Sequence, residues 1–369
     1  MTIGILTYHR AINYGAFLQV FALKNFLEQE KHNVEVIDYW PKGHAVAYEP
    51  MYISPNKHGF DRIKEWLYNI IRYRRYNKRV KKMQLLQQKY LNINPLFPKY
   101  TEGKKLADIQ YDCIIYGSDQ IWWRHSPIVS YPGFDPTFWG YFVPTTCKKI
   151  AYAASMGRMD IDDQDKLFIQ KALSNFDAIS VREEKLRQLV QSLTKSDVCL
   201  AIDPTLLMDK SFWTKYAQFT LIKEKYVLLY HLMPSKQAEQ VARKKAKELG
   251  CRFIEITGSV RALRFGKDYI QTADAFELIS LIMNAEYIVS TSFHGVVFSI
   301  LFEKQFCAIG MDKNASRVES LLTKLHLEDR IVNHFQQLPS TEINYALVAN
   351  DLVNLKEQSI NFLHSAISY

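Results

Sequence analysis

Ser290-Thr291-Ser292-Phe293-His294-Gly295 follows the apolar run Tyr287-Ile288-Val289 and leads into another, Val296-Val297-Phe298-Ser299-Ile300-Leu301. An apolar strand passing through small hydroxyl residues into a helical run reads as a strand–loop–helix unit. That order sets His294 at the carboxyl end of a strand and the amino end of a helix. Open α/β sheets bind ligands along that edge, where free backbone N–H groups attract anions. A histidine there can exchange a proton near neutral pH, and Gly295 lets a substrate approach the backbone. The plainer reading is a histidine that caps the helix and bonds a neighbouring carbonyl.

The same alternation extends in both directions. Strands are predicted over Thr2–Tyr8, Asn33–Tyr39, Asp112–Tyr116, Lys149–Ala154 and Asp177–Val181, then Lys225–Leu232, Arg252–Thr257, Glu286–Ser290 and Gln305–Ile309. Helical periodicity falls between them, beginning with an amphipathic pattern over Ala16–Glu30. Strands alternating with helices predict parallel sheets of the α/β class. A chain of 369 residues exceeds one ordinary core, so two domains are expected. We divide it into an N-terminal Rossmann-like domain (1–210) and a C-terminal one (224–340) carrying the His294 motif. A helix within 341–369 is expected to pack across both. A helical insertion at about 41–110 interrupts the first domain.

The charge is concentrated in that insertion. Of the net +9, the segment Arg62–Lys82 carries +8, with nine basic residues and one acid, Glu65. Trp66, Leu67, Ile70, Ile71 and Tyr73 interleave with those cations. Such a helix can lie on an anionic bilayer, or can pack its apolar stripe on the protein itself. Nucleic acid is not expected, because the charge is confined to one insert without a nucleic-acid motif. The five cysteines lie far apart without metal-ligand spacing and read as buried hydrophobes in a reducing compartment. With no signal-like N-terminus and no long apolar run, a cytoplasmic protein is expected, one that can sit peripherally at the inner face of the membrane.

Four more motifs fall where strands give way to helices. Asn13-Tyr14-Gly15-Ala16 opens the first helix and can cradle an anion or a sugar hydroxyl, or is an ordinary turn. It lacks the spaced glycines of a dinucleotide fingerprint. In Gly117-Ser118-Asp119-Gln120-Ile121-Trp122, Asp119 and Gln120 suit hydroxyl-rich ligands, and Trp122 or Trp123 can face a sugar ring. The alternative makes Asp119 a cap and the tryptophans core. Arg182, ending Ser180-Val181-Arg182, can fork onto a carboxylate or phosphate, or pair with a nearby glutamate. Asp203-Pro204-Thr205 reads as a structural turn, and Arg317 as a second guanidinium or a surface residue at a helix start.

Taken in this order, these segments resemble the polysaccharide pyruvyl transferase family, with Gly4-Ile5-Leu6-Thr7 and Tyr152-Ala153-Ala154-Ser155-Met156-Gly157 completing the set. The resemblance runs from residue 3 to about 330. It implies a GT-B-like fold, two Rossmann-like domains facing across a cleft. It also implies transfer of pyruvate from phosphoenolpyruvate, as co-substrate, to a lipid-linked or nucleotide-linked saccharide, leaving a pyruvate ketal. His294 and Arg182 would be catalytic. Arg182, Ser292, Phe293, His294, Gly295 and Arg317 would hold the donor. Asn13, Tyr14, Gly15, Asp119, Gln120 and Trp122 would hold the acceptor. No metal or further cofactor is expected. Family members often carry arginine where this chain has Ser292, so Arg317 and Arg158 are the candidates to replace it.

Two other functions remain open on sequence: a glycosyltransferase of the same architecture using a nucleotide sugar, and a non-catalytic subunit of polysaccharide assembly.

Overall fold

The computed structural model describes residues 1–93, 101–125, 133–217, 221–232, 234–309, 315–333 and 337–368. One sheet comprises β1 (Thr2–Leu6), β2 (Asn33–Val36), β3 (Cys113–Gly117), β4 (Lys148–Ala154), β5 (Ala178–Val181) and β6 (Val198–Leu200). The other comprises β7 (Tyr226–His231), β8 (Arg252–Thr257), β9 (Tyr269–Ile270), β10 (Tyr287–Ser290), β11 (Phe306–Ile309) and β12 (Ile331–Val332). The helices are α1 (Tyr14–Gln29), α2 (Lys42–Ala47), α3 (Gly59–Leu91), α4 (Asp163–Leu173), α5 (Glu184–Leu193), α6 (Lys210–Thr214), α7 (Lys236–Glu248), α8 (Ala275–Met283), α9 (Phe293–Leu301), α10 (Ala315–Lys324) and α11 (Tyr345–Ser368).

The named strands pair parallel throughout, as a sheet buried on both faces requires. Their orders are β2-β1-β3-β4-β5-β6 and β12-β11-β10-β7-β8-β9. The direction of winding reverses between β1 and β3 in the first sheet and between β7 and β10 in the second. Read from its other edge, the second order is that of a dinucleotide-binding fold. The chain therefore builds two Rossmann-like halves. Strands β6, β9 and β12, absent from the sequence reading, have only two or three residues, too few for a periodic pattern to register.

Helix α1 is less amphipathic than expected. Thirteen of its sixteen residues are buried, because it lies between the halves and not on the outside of one. Phe17 and Phe21 pack edge-on against Phe276 of α8, with ring centroids 5.6 and 5.4 Å apart. One apolar cluster thus runs through both halves. Helix α11 ties them again. Ser359 Oγ accepts from Ile202 N at 3.0 Å, and the Tyr345 hydroxyl donates to Lys304 O at 2.5 Å.

Helix α3 adds a third connection, which accounts for part of the basic segment. Arg79 is 1% exposed and donates to the carbonyls of Thr257 and Gly258, at 2.8 and 2.7 Å. Its guanidinium also lies 4.2 Å from the ring centre of Tyr14. Arg75 forks onto the carbonyls of Arg264 and Ala262, and Lys82 pairs with Glu277. The planar fork of arginine suits two adjacent carbonyls, which a lysine cannot match. These cations hold the second half; they are not a solvated face.

Candidate active site

Both reversal points open on the same crevice. Asn13 follows β1 and Asp119 follows β3, while Leu232 follows β7 and Ser292 follows β10. These four residues, with Ala16, Gln120, Phe293, His294 and Arg317, line one cavity of about 90 Å³. Ligands bind at such reversal points because the two flanking connections diverge to opposite faces and leave a gap above the strand ends. Here two gaps meet.

His294 lies in the first turn of α9 and is 8% exposed. Its Nε2 stands 3.5 Å from Oδ2 of the buried Asp203. The same oxygen stands 3.1 Å from Arg182 Nη1, and Arg182 Nη2 donates to Ser118 Oγ at 2.9 Å. The other carboxylate oxygen, Oδ1, accepts from the backbone N–H and the hydroxyl of Thr205. Burial would raise the Asp203 carboxyl, but Arg182 and then His294 hold it below the usual carboxylate range.

Arg317, also buried, comes from the first turn of α10. The two guanidiniums flank Phe293, with Arg182 5.1 Å and Arg317 5.6 Å from its ring centre. Burial, and after it the charge of Arg182, lowers the pKa of Arg317. Glu183 is the nearby counter-charge, hydrogen-bonded by Ser155 Oγ at 2.5 Å. Burial nevertheless raises its pKa, against the pull of Arg182 and Arg317. Nε of each arginine is buried without a hydrogen-bond partner among the described residues. Buried N–H donors of this kind are costly unless they serve a ligand. Ser118 itself sits at φ 29°, a sparsely populated backbone region of the sort held at functional sites by surrounding structure.

Two glycines make the assembly possible. A Cβ on Gly15 would fall 2.1 Å from His294 Nδ1, and one on Gly295 would fall 2.1 Å from Ser290 Oγ. The first lets α1 rest on the imidazole across the crevice; the second lets α9 start directly on β10.

A model of the polysaccharide pyruvyl transferase family matches residues 13–313, taking in the sheet-edge motifs of both halves. The chain belongs to that family. No curated protein matches it. Among solved structures, UDP-N-acetylglucosamine 2-epimerase from Rickettsia bellii is similar at 11% identity and TM-score 0.44, covering 100% of this chain and 97% of the epimerase. UDP-GlcNAc 2-epimerase from Methanocaldococcus jannaschii follows at 9% and 0.44, over 96% and 92% of the two chains. The E. coli heptosyltransferase WaaC with ADP-2-deoxy-2-fluoro heptose aligns at 10% and 0.35, over 84% and 88%. Likenesses this distant say nothing about the reaction.

Within this pyruvyl transferase family member, most of the residues singled out from sequence converge on the crevice, but two of the six assigned to the acceptor do not. Trp122 is fully buried, stacked on Trp139 at 4.4 Å, with its Nε1 donating to Phe138 O. It is core, and cannot present a face to a sugar; its neighbour Trp123 is 41% exposed. Tyr14 is also fully buried, bonded through its hydroxyl to Ala273 O and covered by Arg79. It joins the halves and is not an acceptor contact. Asn13 both lines the cavity and caps α1, its Oδ1 accepting from Gly15 N at 2.9 Å. Gln120 lines the cavity with its amide packed against Gly157. Of the two substitute arginines, Arg317 shares the cavity wall with Ser292, whereas Arg158 is exposed on the loop beyond β4. Asn314, beside the Arg317 motif, lies outside the described residues.

Sequence reasoning undervalued Asp203. Its turn-forming role is real, since Oδ1 caps Pro204–Leu206, but Oδ2 is the anion shared by Arg182 and His294. The missed signal was position: Asp203 follows β6 at the same sheet edge as every other motif.

Proposed function

We propose that the protein transfers the enolpyruvyl unit of phosphoenolpyruvate to a sugar of a surface-polysaccharide precursor and closes it to a pyruvate ketal. One observation carries this reading: the buried guanidiniums of Arg182 and Arg317 flank Phe293 beside a histidine that lines the interdomain cavity. A small donor bearing a carboxylate and a phosphate needs two such groups together.

In this mechanism His294, oriented by Asp203, delivers a proton to C3 of the donor, which makes C2 electrophilic. A sugar hydroxyl attacks C2 and gives up its proton. Asp119, lining the cavity from the opposite half, is the carboxylate that takes it. A second hydroxyl of the acceptor then attacks C2, the bond from C2 to the phosphate oxygen breaks, and the ketal closes. Of the two hydroxyl protons, one ends on C3 and the other on inorganic phosphate, so the balance is complete. A positioned general acid contributes about 10²–10⁴ in rate.

The test is purified protein with phosphoenolpyruvate and lipid-linked or nucleotide-linked saccharides, following phosphate release and the mass of the product. One phosphate released per ketal formed is the expected result. Nucleotide release without use of phosphoenolpyruvate would instead indicate glycosyl transfer. No turnover with any acceptor would favour a non-catalytic assembly subunit.

A further inference from the structure

The first four turns of α3 are inverted: their apolar side faces solvent. Phe60, Ile63, Trp66, Leu67, Ile70 and Ile71 are 45–69% exposed. At 100° per residue they span about 140° of the helical wheel. That arc is centred nearly opposite Asn69, Tyr76, Met83 and Gln87, the residues by which the helix is buried. A surface helix normally hides such a stripe. Here the inward position nearest the stripe is polar, Asn69, whose amide donates to Tyr52 O.

Cations dominate the rim of the stripe; the two acids within residues 60–74, Asp61 and Glu65, fall on the opposite side of the helical wheel. Arg62, Lys64, Arg74, Lys78 and Lys81 are exposed, and no acid occurs anywhere from residue 66 to 91. These differ from Arg75, Arg79 and Lys82, which are engaged with the second half. Two copies of this face would repel each other, which disfavours self-association. Four of the six stripe side chains, Ile63, Leu67, Ile70 and Ile71, are aliphatic and offer nothing for a nucleic acid to stack on, whereas a bilayer accepts them together with Phe60 and Trp66. An apolar face rimmed by unneutralised cations fits an interface that is apolar inside and anionic outside.

We propose that residues 60–74 of α3 form a peripheral docking face for an anionic lipid bilayer, with the aromatic and aliphatic stripe inserted and the cations at headgroup level. Trp66 lies thirteen residues from Arg79, a rise of roughly 20 Å along the helix. Arg79 in turn covers Tyr14, next to the cavity-lining Asn13. The bound bilayer would therefore lie at a set distance from the crevice. The docking itself does not depend on the reaction proposed above, and its failure would leave that reaction untouched.

Co-sedimentation of the full-length protein tests this. The vesicles are phosphatidylcholine alone, or phosphatidylcholine with about one part in three phosphatidylglycerol. Binding is expected only to the anionic vesicles, weakening as salt is raised. Each of Arg62→Gln, Lys64→Gln and Arg74→Gln should lower partitioning about five-fold. Trp66→Ser with Ile70→Ser should lower it by about tenfold or more. Leu167→Ser, at a 66% exposed leucine of α4, should leave it unchanged. Equal binding to both vesicle types, no binding to either, or an equal loss with Leu167→Ser would overturn the proposal. So would a dimer in lipid-free solution that the Trp66→Ser/Ile70→Ser pair dissolves.

Discussion

A Cβ on Gly15 would lie 2.1 Å from Nδ1 of His294, so the first helix of one half rests directly on the imidazole of the other. The proposed proton donor is thus positioned by a contact between halves that are far apart in sequence. Only a residue without a side chain permits it. Gly15→Ala should push the ring from its place, costing about 1–3 kcal/mol in stability. It should lower turnover far more than that loss explains. Urea unfolding beside a phosphate-release assay measures both, and normal turnover in a folded Gly15→Ala protein would contradict the placement.

His294→Ala removes a largely buried side chain at the cavity wall, but Asp203 keeps Arg182 and Thr205 as partners, so the fold should stay intact. Turnover should fall by about 10²–10⁴, while affinity for phosphoenolpyruvate, measured calorimetrically, changes little. Donor affinity lost along with turnover would mean that the imidazole binds the donor and does not protonate it.

Asp203→Asn probes the shared anion. A carboxyl held low in the fold adds stability that is complete above its unfolded pKa, about 3.9, and lost as pH falls through its folded value. Removing it leaves Arg182 buried without its ion-pair partner, at a cost of about 3–5 kcal/mol. The gap between wild type and variant should be steady from about pH 5 to 8 and narrow only below about pH 4. Unfolding midpoints across a pH series give this directly; a gap that closes near neutral pH would assign the effect elsewhere.

Arg79→Lys keeps the charge but loses the fork onto Thr257 and Gly258. Charge-assisted hydrogen bonds to carbonyls carry about 1.5–3 kcal/mol each, so a loss of about 2–4 kcal/mol is expected. With an apolar cluster shared by both halves, the wild type is expected to unfold in one calorimetric transition and the variant in two. An unchanged single transition would show that α3 does not couple the halves.

Arg317→Lys should raise the KM for phosphoenolpyruvate about tenfold or more, since a point charge cannot replace a planar fork. Arg158→Ala should leave it unchanged. Steady-state kinetics of both variants separates the two, and the reverse pattern would make Arg158 the substitute for the family's arginine at position 292.

Much of this was legible without coordinates. Strong local patterns, such as Tyr287–Val289 running into His294 and Gly295, identify parallel α/β units, because a strand buried on both faces must be apolar throughout. They also place every motif at one edge, since strand ends and helix starts coincide there. Short-range chemistry was ambiguous wherever one residue type serves two purposes. Trp122 fills a core as readily as it faces a sugar, and Asp203 caps a turn with one oxygen while serving the site with the other.

By itself the sequence determined the class of fold, the two halves and the family, all of which follow from periodicity and ordered local motifs. Only the tertiary structure decided which side chains meet: Gly15 against His294, Asp203 between Arg182 and His294, Arg79 across to Thr257. It also decided that the apolar stripe of α3 faces outward. The reason is physical. A helix's own pattern records which residues share a face, but what that face meets depends on partners distant in sequence, and contact, burial and charge pairing exist only once those partners are brought together.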